Sequence, residues 1–322
     1  MEKKKLVVLT GPTAVGKTDL SIGLAKEIGG EIISADSMQV YRFMDIGSAK
    51  ITKEEMQGVP HYLVDILDPK EEFNVFLFQK LAKEAMARIY ENGHIPILVG
   101  GTGFYIQSVL YDIDFTQNDT DFAYRKELER LAEEKGAEYL HKMLEEADPE
   151  SANAIHANNV KRVIRALEYN RLTGRQISEH NREERKKQSP YDFCYFVLND
   201  DRALLYRKIE ERVDRMMEAG LVEEVKALKE RGCSLEDISM QGLGYKEILG
   251  YLNKEYDLER AVYLIKRDTR HFAKRQLTWF RRERDVIFMD KKDFDYDNRK
   301  MLAFMEERIL KGNAPQKKAH ET

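Results

Sequence analysis

The octapeptide Gly11-Pro12-Thr13-Ala14-Val15-Gly16-Lys17-Thr18 constrains this chain more than any other stretch. It follows an apolar run, Leu6-Val7-Val8-Leu9, and precedes apolar residues at helical spacing, Leu20, Leu24 and Ile28. Strand, glycine loop and helix form the setting in which a G-x-x-x-x-G-K-[ST] motif has physical meaning. Glycines let successive backbone N–H groups turn inward toward an anion. The helix adds the positive end of its dipole. Lys17 adds a point charge, and Thr18 offers a hydroxyl to Mg2+. Residues 11–18 are therefore expected to cradle a phosphorylated ligand.

The next hundred residues repeat the alternation. Strands are expected over 31–35, 61–66 and 95–99, with a helix between the last two. Asn74 suits the start of that helix and Gly93 its end. Such a βαβ pattern builds a parallel sheet covered by helices, in which ligands bind beyond the carboxyl ends of the strands. That rule gathers the phosphate loop, Asp36 and Thr102 at one edge. From about 117 to 188 the chain reads as helix after helix. Ser189-Pro190 interrupts, a strand follows over 193–198, and long helices follow near 202–219, 221–231, 242–253 and 258–284, with a last strand over 286–289. The expected fold class is α/β: a P-loop NTPase-like parallel sheet flanked by helices, with an inserted helical lobe and a helical C-terminal part. The core spans 1–116 and 189–310, the insertion 117–188, and a flexible tail 311–322.

Charge excludes one class. The chain carries 53 Lys and Arg against 57 Asp and Glu, a net charge of −4, so any nucleic-acid surface must be a local patch. Cys194 and Cys233 offer neither a metal spacing nor a disulfide framework. The scattered histidines suggest no zinc site. No apolar run is long enough to span a bilayer and none follows the N-terminus as a signal. The expectation is a cytoplasmic protein with no membrane partner.

Several residues are candidates for chemistry. Asp36 ends the second strand, where a carboxylate takes a proton from a nucleophile, holds Mg2+ through water, or simply caps the next turn. Thr102, in Gly100-Gly101-Thr102-Gly103, either touches substrate or caps the following helix. Two stretches are basic. One runs through Lys161, Arg162 and Arg165 to Lys187, with Val163 and Ile164 on the apolar side of its helix. The other holds Lys266, Arg270 and Lys274 four residues apart, then Arg275, Trp279, Arg281, Arg282 and Arg284. Each is either a solvated face or a contact surface for a polyanion. Trp279 either packs in the core or stacks on a base.

Taken together, these motifs resemble the bacterial tRNA dimethylallyltransferases. The resemblance rests on Gly11 to Thr18, Ser34 to Tyr41, Met44 to Lys50, Gly100 to Tyr105, Arg162 to Glu168, Arg212, Gly220-Leu221, Glu224-Val225, Gly242 to Tyr245, and Arg275 to Arg281. It implies transfer of the dimethylallyl group from dimethylallyl diphosphate to N6 of the adenosine on the 3′ side of the tRNA anticodon. Asp36 then matches the family's general base and Thr102 a contact to the target nucleotide. Arg212 matches an arginine near the diphosphate. Gly11, Pro12, Thr13, Ala14, Val15, Gly16, Lys17 and Thr18 hold the diphosphate, with Thr18 on Mg2+. The resemblance places the anticodon stem-loop against Asp36, Ser37, Met38, Gln39, Thr102, Arg125, Lys161, Arg162, Val163, Ile164, Arg165, Arg275, Trp279 and Arg281. It implies a monomer, and the missing cysteines of a C-terminal zinc finger fit the bacterial form.

Two other readings share parts of this pattern. A P-loop kinase of a nucleoside or small metabolite would also need the glycine loop and a strand-end Asp. It would not need the helical insertion or the basic C-terminal helix. A non-catalytic RNA-binding ATPase would need a Walker B acid, for which Val64-Asp65 is the nearest candidate.

Overall fold

A computed structural model describes residues 3–115 and 122–311, which fall into two compact units. One runs up to Leu110 and resumes at Pro190; the other is Tyr111–Ser189. The polar stretch 117–121, read above as the start of the insertion, lies outside the described residues, as does the tail from 312 onward.

The first unit opens with β1 (Lys5–Thr10), α1 (Lys17–Ile28), β2 (Gly30–Ser34), β3 (His61–Tyr62), α2 (Val75–Glu91), β4 (Ile95–Gly100) and α3 (Gly103–Leu110). The second unit supplies α4 (Phe122–Lys135), α5 (Ala137–Ala147), α6 (Pro149–Ala154), α7 (Val160–Thr173) and α8 (Ile177–Glu184). The first unit then resumes with β5 (Asp192–Asn199), α9 (Arg202–Glu218), α10 (Leu221–Glu230), α11 (Tyr245–Leu252), α12 (Leu258–Phe280), β6 (Val286–Asp290) and α13 (Asn298–Lys311). Its six strands form one sheet in the order β3-β2-β4-β1-β5-β6, every pair parallel. The order reverses around β1, which puts the glycine loop at a topological switch point.

The strands read as apolar runs because both faces of the sheet are covered. Val7, Leu9, Ile32, Ile97, Phe196 and Leu198 join Leu20 and Leu24 of α1, Leu205 and Ile209 of α9, and Met301 and Met305 of α13 in one buried cluster. The alternate residues Leu6, Val8, Ile33 and Leu98 are equally buried and point to the other face, where α2 packs on β2 and β4. Each such side chain contributes about 1.5–3 kcal/mol on burial. Caps set the helix starts. Asn74 Oδ1 accepts from Leu77 N at 3.0 Å, Asp201 Oδ1 from Ala203 N at 2.8 Å, and Asp257 Oδ1 from Arg260 N at 2.8 Å.

Three expected elements come out shorter. The strand expected over 61–66 is only His61–Tyr62. Leu63 and Asp65 take φ of 63° and 56°, which no strand tolerates. The backbone turns instead toward Val40, whose carbonyl accepts from Ile66 N and Leu67 N at 2.9 and 3.1 Å. The helix expected from 242 starts at Tyr245, because Gly244 sits at φ 93° just before it. The last long helix ends at Phe280 rather than 284.

In the second unit, Leu128, Leu140, Leu144, Ala152, Val163, Ile164, Ala166 and Leu167 form the core. Asp148 organises one side of it. Its carboxylate accepts from Ser151 N and Oγ and from Ser178 N and Oγ, all between 2.7 and 3.0 Å. Burial alone would raise its pKa, but these donors outweigh burial and hold it below the ordinary carboxylate value. Among the described residues, no helix is long and apolar enough to cross a membrane.

Candidate active site

Three loops meet beyond the carboxyl ends of β1, β2 and β4. Thr10 Oγ1 donates to Gly100 O at 2.6 Å, and Ala35 N to Val99 O at 2.8 Å. Thr102 N then donates back to Ala35 O at 3.2 Å. A side chain at Gly100 would run into the Ala35 backbone, so only glycine lets these loops approach so closely. Residues 11–16, the segment starting at Asp36, and the turn 100–103 are thereby brought together.

The glycine loop has the backbone its motif demands. Gly11, Ala14 and Gly16 take φ of 145°, 64° and 91°. A Cβ at Gly11 would lie 2.5 Å from Leu198 O. Lys17 folds back over the loop and donates to Gly11 O and Pro12 O at 3.0 and 2.9 Å. Arg212, from α9, donates to Thr13 Oγ1 at 3.2 Å. Burial lowers the Lys17 pKa to about 8, the nearby Arg212 pushes it the same way, and Asp36 opposes them. Burial likewise lowers Arg212, again with Asp36 opposing. Two cations and one carboxylate thus face the loop within electrostatic reach of one another. An anion entering here would relieve the repulsion between the cations. A third cation, Lys291, follows β6 and donates to Val15 O at 3.1 Å. Nothing in the sequence pattern singles it out.

Asp36 performs the structural task open to it: Oδ1 accepts from Met38 N at 2.8 Å and closes a turn. That bond aims the carboxylate without consuming both oxygens. The segment that follows is held from outside. Glu224 of α10 accepts from three successive backbone N–H groups, Asp45, Ile46 and Gly47, at 2.9, 2.8 and 3.1 Å. Tyr245 of α11 donates its hydroxyl to Glu224 at 2.8 Å and accepts from Ser48 N at 3.1 Å. Gly47 is glycine because a Cβ there would strike the Tyr245 ring at 2.6 Å. The buried Lys50 ammonium ties Tyr41 O, Asp45 and Asp65 together at 2.5 to 2.6 Å. Asp65, the nearest thing to a Walker B acid, is thus engaged with Lys50.

Several nominated residues are already engaged. Gln39 bridges Ser34 Oγ at 3.1 Å and Ala49 O at 3.3 Å. Met38 packs its sulfur on Gly242. Arg125 makes a two-point ion pair at 2.8 Å with Glu168, which is 2 % exposed, so its guanidinium is committed inside the second unit. Val163 and Ile164 are buried in that unit's core, so their side chains cannot reach RNA, whereas Lys161, Arg162 and Arg165 are exposed on α7. On α12 the four-residue stripe is partly internal. Lys266 pairs with Asp214 and Arg270 with Glu210, both at 2.6 Å and both on α9. Lys274, Arg275 and Arg281 are exposed, while Trp279 is half-buried, its ring packed where a Cβ at Gly103 would sit. Phe104 meets it edge-on at 6.2 Å.

Thr18, exposed in the first turn of α1, has a hydroxyl that could hold a hydrated magnesium ion. Among the described residues no three His, Cys, Asp or Glu gather into a metal cluster.

The fold and the loop define a P-loop α/β protein with an anion cradle beside a strand-end carboxylate. The particular family follows from comparison with known proteins: the chain belongs to the IPP transferases, whose family model matches residues 39–283. A tRNA dimethylallyltransferase of Lachnoclostridium phytofermentans is 65% identical over 292 residues, covering 91% of this chain and 93% of that protein. The crystal structure of the full-length tRNA isopentenylpyrophosphate transferase from Bacillus halodurans superposes with a TM-score of 0.72 at 46% identity, over 96% of this chain and 98% of that one. A eukaryotic dimethylallyltransferase acting on tRNA gives 0.81 at 30% identity, over 95% and 80%. The phosphate loop, residues 11–18, lies outside the family-model match and by itself defines only an anion site.

Proposed function

We propose that this protein transfers the dimethylallyl group of dimethylallyl diphosphate to N6 of the adenosine 3′ to a tRNA anticodon and releases diphosphate. The observation that carries the reading is the seating of Lys17 and Arg212 on the glycine loop of an IPP transferase family member, with Asp36 just beyond β2. A carboxylate facing two cations supplies both halves of a proton-coupled displacement. N6 attacks C1 of the dimethylallyl group, the C–O bond breaks, and its electron pair leaves on diphosphate. Loop N–H groups, Lys17 and Arg212 stabilise that growing charge. Asp36 accepts the N6 proton as the C–N bond forms, which matters because an exocyclic amine is a weak nucleophile. We assign Thr102, whose N–H bonds to Ala35 O next to Asp36, to the target nucleotide. Magnesium on Thr18 would neutralise diphosphate charge.

The adenosine must leave its stack to reach such a site. Arg275, Trp279 and Arg281 of α12, and separately Lys161, Arg162 and Arg165 of α7, are the side chains we assign to RNA. One chain supplies every group named, so the reading needs no second subunit. A kinase would use the same anion cradle, but the relatives are transferases of a prenyl group.

The test is a transfer assay with Mg2+, labelled dimethylallyl diphosphate and unmodified tRNA, run beside ATP and the same tRNA. Label on the adenosine 3′ to the anticodon, with release of diphosphate, is the expected result. ATP turnover without label on RNA would discard the reading.

A further inference from the structure

The glutamine of α12 makes contacts that neither the basic stripe nor the phosphate motif suggests. Gln276 is 6 % exposed on a helix whose neighbouring arginine and lysine are exposed. Its Oε1 accepts from Thr13 N at 2.9 Å, and its Nε2 donates to Gly101 O at 3.0 Å. The partners fix the orientation of the amide, since a backbone N–H only donates and a carbonyl only accepts. Strand pairing between β1 and β4 ends at Thr10 and Gly100. Beyond that point this side chain joins the two loops. Gly101 leaves room for it, because a Cβ there would fall on the Gln276 amide nitrogen. The path continues, as Gly101 precedes Thr102, whose N–H bonds to Ala35 O, next to Asp36.

We propose that Gln276 is a positioning residue: by joining Thr13 of the phosphate loop to Gly101 of the turn bearing Thr102, it sets the spacing between the leaving diphosphate and the acceptor amine. The inference rests on the prenyl-transfer reading above. It also removes Thr13 N–H from the donors available to diphosphate. That leaves the cradling to the other N–H groups of the loop, Lys17 and Arg212. In-line displacement is sensitive to such spacing, and a misplacement of about 1 Å costs about 100-fold in rate. The cost should therefore appear in kcat rather than in substrate affinity.

Three variants test this. Gln276→Met keeps length and volume without the amide. Gly101→Ala evicts the amide while leaving Gln276 in the sequence. The double variant Gly101→Ala/Gln276→Ala has nothing left to evict. Gln276→Met should lower kcat about 100-fold with little change in KM for dimethylallyl diphosphate, and lower Tm as Thr13 N and Gly101 O lose their partner. The double variant should be no slower than the worse of the Gly101→Ala and Gln276→Ala single variants. Hydrogen exchange at the Thr13 amide should be slow in the wild type and fast in Gln276→Met, whether or not the wild type transfers a prenyl group. Unchanged kcat in Gln276→Met, additive losses in the double variant, or equal Thr13 exchange would each overturn the proposal. A wild type that binds diphosphate but transfers no prenyl group would instead overturn the reaction assigned above, and Thr13 exchange would still decide the brace.

Discussion

Lys17 and Asp36 carry opposite demands at neighbouring positions. Burial and Arg212 hold Lys17 down to about 8. A bound diphosphate favours the charged amine, so binding raises that pKa. Above pH 8 binding must then take up a proton, and affinity falls as pH rises, by up to about tenfold per unit. Calorimetry with dimethylallyl diphosphate between pH 7 and 9.5, in buffers of different ionisation enthalpy, measures both the affinity and the proton uptake. A Kd flat across that range would remove Lys17 from the diphosphate contacts. Lys17→Ala should weaken binding and abolish the pH slope together. Asp36→Asn keeps the size of the side chain and loses the base. Its kcat should fall by about 100- to 10,000-fold, with tRNA affinity unchanged. Full activity in this variant would assign the proton to another group.

Among the elements, the segment 36–50 depends on a clamp from the far end of the chain. Glu224 sits in a nest of three backbone N–H groups and holds the Tyr245 hydroxyl. Glu224→Ala would strand these donors, at about 1–3 kcal/mol for each one left buried. A loss of at least 2 kcal/mol in urea unfolding is expected, and a change below 0.5 kcal/mol would make the clamp ornamental. This clamp marks the limit of what local pattern reveals. The glycine loop and Asn74 cap are legible because the partners of each lie within a few residues. Gln276 and Glu224 look like ordinary polar residues of amphipathic helices. Their partners, Thr13 and the 45–47 backbone, lie more than 170 residues away in sequence. A shorter separation, 60 residues for Arg270 and Glu210, is enough to hide the true use of Lys266 and Arg270, whose four-residue spacing reads as a solvated stripe until Asp214 and Glu210 are seen opposite. Val163 and Ile164 show the reverse case. Their helical phase places them in the core, and only the family resemblance set them beside RNA.

For the whole molecule, the question is how a chain of net charge −4 holds a polyanion. Long-range attraction is absent, so affinity must come from short-range contacts that displace counterions at particular phosphates. In the second unit we assign this to the exposed cations of α7, since Glu168 has already claimed Arg125 and the apolar face is buried. Each phosphate contact contributes about 0.7–0.9 to the slope of log Kd against log salt. Replacing Lys161, Arg162 and Arg165 together with Ala should therefore flatten that slope by about 2. Binding should weaken most at low salt, and kcat at saturating tRNA should hold, because the three are assigned to phosphates and not to the reacting atoms. The core of the unit lies on the opposite face of α7, so its thermal unfolding should not shift. Fluorescence titrations of labelled tRNA from 50 to 300 mM salt provide the measurement. A triple variant with the wild-type slope would leave α7 a solvated face and assign the second unit's part in RNA binding to other side chains.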